Sequence, residues 1–158
     1  MPSLTSFIAP LLLAAMTVVS GVYAETHTIT FDNRCGKGTP KLKQNFQTLS
    51  TGGAYTHNGP FTAAIAYLDT GNCGDSGENC VLVETSLING GISSTDLSLI
   101  PPHAFQATTG FGYYNGCEGA GADCTSGSCT TAFHVTTDYQ VQVQCTASDV
   151  NLAITFCA

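Results

Sequence analysis

Eight cysteines, at positions 35, 73, 80, 117, 124, 129, 145 and 157, constrain this chain more than any other feature. The count is even, the chain has only 158 residues, and every cysteine lies beyond an apolar N-terminal segment. From Phe7 to Val19 that segment is almost continuously apolar, about the length of a signal-peptide core and too short to span a bilayer. Val22-Tyr23-Ala24 supplies small residues at the −3 and −1 sites that signal peptidase prefers, although no Lys or Arg precedes Phe7. The expected organisation is a signal peptide over 1–24 and one secreted, extracellular domain over 25–158. In an oxidising compartment eight cysteines read as four disulfides. A zinc site needs closely spaced Cys or His pairs, and no C-x-x-C occurs. His27 falls third after the expected cleavage site, where it cannot join the terminal amine in clamping copper. No metal and no cofactor is therefore expected. Many pairings are open to eight cysteines, and spacing alone selects none.

Charge excludes several partners. The formal net charge is −7, and the four basic residues, Arg34, Lys37, Lys41 and Lys43, fall in one ten-residue stretch. That balance excludes a nucleic-acid binder, which must neutralise phosphate, and docking by charge onto anionic lipid. Carboxylates elsewhere have no Lys or Arg nearby in sequence.

Beyond residue 24 no window carries a helical repeat, whereas period-two alternation recurs. Ile29 and Phe31 alternate with threonines; Leu152, Ile154 and Phe156 alternate with small or polar residues. Tyr139, Val141, Val143 and Cys145 alternate with glutamines and predict a strand with one wet face. Apolar, β-rich runs cover 61–68, 81–88 and 96–100, and turn clusters such as Asn58-Gly59-Pro60 and Asn89-Gly90-Gly91 separate them. The Gly-rich stretch 115–128 holds Cys117 and Cys124, with Cys129 directly after it, and reads as a disulfide-pinned loop. The predicted fold is all-β, an antiparallel sandwich or barrel.

Several segments then align with one family. A first strand runs into Asn33-Arg34-Cys35, and Thr70-Gly71-Asn72-Cys73-Gly74 is similar to the motif TGDCG. Val83-Glu84-Thr85-Ser86-Leu87 is similar to a strand AEFSL, and Thr95-Asp96-Leu97-Ser98-Leu99-Ile100 to a strand YDISxI. Ala132-Phe133 after Cys129, then Cys145, then Ile154-Thr155-Phe156-Cys157 complete the series. In this order the pieces resemble the thaumatin-like proteins, in particular short secreted fungal forms, across nearly the whole chain after residue 24. The resemblance implies a thaumatin-like antiparallel β-sandwich with pairings Cys35–Cys157, Cys73–Cys80, Cys117–Cys145 and Cys124–Cys129. Long members carry an extra cysteine-rich subdomain between the positions of Cys124 and Cys129, where this chain has four residues. One wall of the family's cleft is thus expected to be largely missing.

The family's acidic cleft uses one Arg, one Glu and three Asp. Carried over by position, the Arg site falls on Gln47, the Glu on Glu84, the first Asp on Asp96, the second on Pro101 and the last near Asp138. Glu84 and Asp96, on successive predicted strands, are the candidate catalytic pair. Glu84 interrupts an apolar run, so burial is expected to raise its pKa as an acid requires. Asp138, Gln47 and the aromatics Tyr113 and Tyr114 are the candidate substrate-binding residues, although consecutive tyrosines on a strand face opposite ways. The implied partner is a cell-wall polysaccharide of the β-glucan type, with weak endo-β-1,3-glucanase activity as a corollary. The rival reading is a non-enzymatic secreted effector or wall-associated module that binds an extracellular protein. No membrane partner is expected, and the chain is expected to be a monomer.

Overall fold

The structure, a computed structural model, describes residues 24–158. The expected signal peptide, apart from Ala24, lies outside the described residues.

Among the described residues, eleven strands form two facing sheets. The first sheet has the order β4-β1-β11-β8-β9, from β1 (Thr26–Asn33), β4 (Tyr55–Asn58), β8 (Thr109–Tyr114), β9 (Gly121–Cys124) and β11 (Asn151–Phe156). The second has the order β10-β7-β6-β5-β2-β3, from β2 (Thr39–Gln44), β3 (Gln47–Ser50), β5 (Phe61–Asp69), β6 (Leu82–Leu87), β7 (Ser93–Ser98) and β10 (Val143–Cys145). All pairings are antiparallel except β1 with β11, which run parallel with Ile29 opposite Leu152 and Asn33 opposite Phe156. The alternating apolar residues meet between the sheets. Ile29, Leu152, Ile154 and Phe156 from one sheet pack with Leu42, Val83, Leu87 and Leu97 from the other. Each such side chain contributes about 1.5–3 kcal/mol by leaving water.

Four disulfides close the sandwich: Cys35–Cys157, Cys73–Cys80, Cys117–Cys145 and Cys124–Cys129. Cys35 follows β1 and Cys157 follows β11, so the first of them clamps the end of the parallel pair. Cys73–Cys80 folds the 70–80 loop back on the second sheet, where Cys80, Tyr67 and Leu82 form a small cluster outside the main core.

One sequence expectation is corrected. The Tyr139–Cys145 alternation is not one strand: Tyr139–Val141 is a 3-10 turn and only Val143–Cys145 is extended. Tyr139 is exposed, and the pairing of β10 with β7 covers Val143–Cys145 alone. Asp138 accepts the backbone N–H groups of His134 and Val135, at 2.9 and 3.1 Å, and so fixes a turn before the strand begins. The 115–128 loop, conversely, contains β9.

Candidate functional site

The outer face of the second sheet carries a transverse row of side chains. Val83, Thr85 and Leu87 of β6 point inward, which leaves Glu84 and Ser86 on the outside. Register then aligns neighbours across four strands: Lys43 lies opposite Ile65, Ile65 opposite Glu84, and Glu84 opposite Asp96. Beside the acid pair is a shallow groove of about 240 Å³, lined also by Ser86, Ser94, Ile65 and Gln142. A bulge in β5 sits at its edge: Ala63, at φ +53, donates its N–H to Ser86 Oγ at 2.9 Å. Bulges of this kind re-aim the chain next to sites.

The two carboxyls differ sharply in surroundings. Glu84 is exposed, whereas Asp96 is only 8% exposed. Burial, helped by the charge of Glu84 and opposed by the Gln142 amide, pushes the Asp96 carboxyl up from 3.8 to about 7. Burial was expected to act on Glu84, and the fold reverses the assignment. Glu84 sits on the wet side of its strand, while Asp96 is covered from the Gln142 side. Asp96 Oδ1 and Ser94 Oγ, two residues apart on β7, are both buried without a hydrogen-bond partner among the described residues. Such atoms cost about 1–3 kcal/mol each until something bonds to them.

The other sequence candidates are placed elsewhere. Gln47 opens edge strand β3, three strand spacings (about 14 Å) from the β6 column that carries Glu84. The Asp138 carboxylate is spent on the two N–H groups of its own turn, which hold it below the usual range, and it does not line the groove. Tyr113 is buried between the sheets, its hydroxyl hydrogen-bonded to Thr95 Oγ1 at 2.9 Å and to the Val143 carbonyl at 3.1 Å. Tyr114 lies on the same strand of the opposite sheet, its hydroxyl 3.5 Å from the Thr28 carbonyl. Neither tyrosine lines the groove over Glu84 and Asp96. Pro101 lies in the turn after β7. His27 is buried, with Nδ1 2.7 Å from the Val150 carbonyl and Nε2 3.0 Å from Glu25.

Sequence reasoning missed Lys43. Its stem is buried beside Ile65 and its Nζ pairs with Asp75, donating to the Asp75 carbonyl at 2.8 Å as well. The cluster of basic residues looked remote from Glu84. Pairing of β2 with β5 brings one of them into the row. The alternation of Pro40 and Leu42 inward with Lys41 and Lys43 outward is the signal that points to it.

Two sheets face to face, a parallel β1–β11 closure and four disulfides define this chain as a thaumatin-like β-sandwich. Among solved structures, the thaumatin-like xylanase inhibitor TLXI aligns with a TM-score of 0.53 at 17% identity, over 84% of this chain and 99% of that one. The protein elicitor MoHrip2 from Magnaporthe oryzae aligns with a TM-score of 0.53 at 14% identity, over 85% and 100% respectively. At such identities the likeness is one of fold. No family model and no curated protein matches the chain. Four closed disulfides fit a secreted protein.

Proposed function

We propose that this is a secreted, signal-peptide-bearing protein that binds a β-glucan-type cell-wall polysaccharide in the groove over Glu84 and Asp96. One observation carries the reading: the exposed Glu84 stands directly opposite Asp96 in register, in an open groove lined by the polar side chains of Ser86, Ser94 and Gln142. Sugar hydroxyls both donate and accept, so one ring edge satisfies a carboxylate, a carboxyl and a hydroxyl together. Ile65 and Ala63 offer apolar surface to the C–H face of the same ring.

Binding is favoured over hydrolysis on geometric grounds. Cleavage needs an acid and a base or nucleophile placed on either side of the glycosidic bond. Asp96 holds its proton to about pH 7, as a general acid requires. Glu84 and Asp96 nevertheless rise side by side from one sheet, directly opposite in register. Nothing among the groove's lining residues puts a third carboxylate across from them. The rival, a protein-binding effector or wall-associated module, draws support from the open groove and from Phe46, an apolar side chain left 88% exposed.

Incubation of the purified domain with insoluble β-1,3-glucan tests the proposal. The protein is expected to leave the supernatant, with no reducing ends released. Glu84→Gln is expected to weaken retention by about tenfold or more, the worth of one charge-assisted hydrogen bond. Wild-type protein that stays in solution removes the polysaccharide reading. Unchanged retention of Glu84→Gln removes the carboxylate from it.

A further inference from the structure

The turn between β2 and β3 consists of Asn45 and Phe46, closed by the pairing of Gln44 with Gln47. Both residues have positive φ, +50 and +65. Asn tolerates the left-handed region and glycine is at ease there, but a bulky residue such as Phe is strained. Its ring, 88% exposed, gains almost nothing from burial. Neither backbone preference nor packing accounts for a phenylalanine at this point. Tyr139, the other strongly exposed aromatic, differs because its ring rests edge-on against Phe133 with centroids 6.5 Å apart.

The Phe46 ring borders a hollow of about 250 Å³ together with Gln44, Ile65, Ser76 and Lys43. Ala63 and Ile65 line both this hollow and the Glu84–Asp96 groove, so the two adjoin on the outer face of the sheet. The β2 column lies two strand spacings, about 10 Å, from that of Glu84. A sugar chain presents two kinds of surface, hydroxyl-bearing edges and apolar C–H faces. The two hollows offer hydrogen-bonding groups at the acid pair and a flat ring at the far end, with the apolar side chains of Ala63 and Ile65 between them and the Lys43–Asp75 pair along the second hollow.

We propose that Phe46 is a stacking platform for a second sugar ring of the chain whose first ring sits on Glu84 and Asp96. The proposal rests on the polysaccharide reading above and adds to it a length requirement. A short oligosaccharide engages the acid pair alone, and a longer one reaches the aromatic.

The chain contains no Trp, so Phe46→Trp makes a single-tryptophan reporter at the platform itself. With a β-1,3-linked glucohexaose, its emission is expected to shift to the blue while affinity stays at or above that of wild type. Phe46→Ala is expected to lose about tenfold in affinity for the hexaose and to bind the corresponding biose as wild type does. Phe46→Asn, which relieves the strained φ, is expected to melt at or above the wild-type temperature while losing hexaose affinity like the alanine variant. Hexaose affinity unchanged in Phe46→Ala overturns the platform and leaves the acid-pair reading standing. Wild-type protein that binds neither sugar overturns both. Tryptophan emission that stays fixed as the hexaose binds, or a melting temperature several degrees lower in Phe46→Asn, also overturns the platform, the latter by assigning Phe46 to structure.

Discussion

Replacing Cys35 and Cys157 together by serine is expected to lower the unfolding free energy by about 4–5 kcal/mol, the largest effect of any pair removal in this chain. The reason is the length of chain between them, 122 residues, whose freedom in the unfolded state the crosslink removes. The native side adds to it. Cys35 and Cys157 stand just past the end of the β1–β11 pairing, which is the one parallel closure of the sandwich and has no hairpin to hold it. In a domain of roughly 130 residues the loss corresponds to a melting temperature about 15 °C lower. Removing Cys124–Cys129, which spans only 5 residues at the edge strand β9, is expected to cost about 2 kcal/mol. Thermal unfolding followed by circular dichroism on both double variants checks the pair. A fall below about 5 °C for Cys35/Cys157, or equal falls for the two variants, contradicts the loop-length account.

The same parallel pair shows which parts of the fold were legible in the sequence. Ile29 and Phe31, and Leu152, Ile154 and Phe156, alternate because each strand has one face on the core and one against water or the sheet edge. Alternation is then the direct imprint of burial. At β10 the same pattern misleads, since Tyr139–Val141 closes a 3-10 turn that follows the Asp138 hydrogen bonds, and only Val143–Cys145 pairs with β7. The β2–β3 hairpin was hidden for a different reason. A two-residue turn with both φ positive is usually announced by Asn-Gly, and here it is Asn-Phe. Within the site, opposition of Glu84 and Asp96 follows from two adjacent strands and a short connection, so the sequence could suggest it. Lys43 and Gln142 join the row through non-local pairing of β2 with β5 and of β10 with β7, which no local pattern encodes. Gln47, Asp138, Tyr113 and Tyr114 were placed by motif position or composition. Register sends Gln47 to an edge and both tyrosines to the other sheet, and a local turn consumes Asp138.

Asp96→Asn is expected to make the protein more stable above neutral pH, by about 2–4 kcal/mol at pH 8. The folded chain holds the Asp96 proton to about pH 7, against an ordinary value of 3.8, because the carboxyl is buried and faces Glu84. Between those two values the native state keeps a proton that the unfolded chain has released. The stability associated with it is therefore complete below 3.8 and is lost as pH rises toward 7. At about 1.4 kcal/mol per pH unit the ceiling on this loss is about 4 kcal/mol. Asparagine keeps the shape and the neighbouring Gln142 and cannot ionise, so its profile lacks the decline. At pH 3.5 the two proteins are expected to agree within about 0.5 kcal/mol. The carboxylates of Glu25, Glu78, Glu118, Asp138 and Asp149, all held low by hydrogen bonds, add an opposite loss at acid pH. That loss is common to both proteins and cancels in their difference. Glu84→Gln separates the two causes: burial outweighs the neighbour's charge, so most of the decline survives in that variant. Urea unfolding at pH 3.5, 6 and 8 measures all three proteins, and parallel curves for wild type and Asp96→Asn refute the assignment. An Asp96→Asn protein that is more stable at pH 8 yet poorly retained on β-1,3-glucan ties the cost to the site.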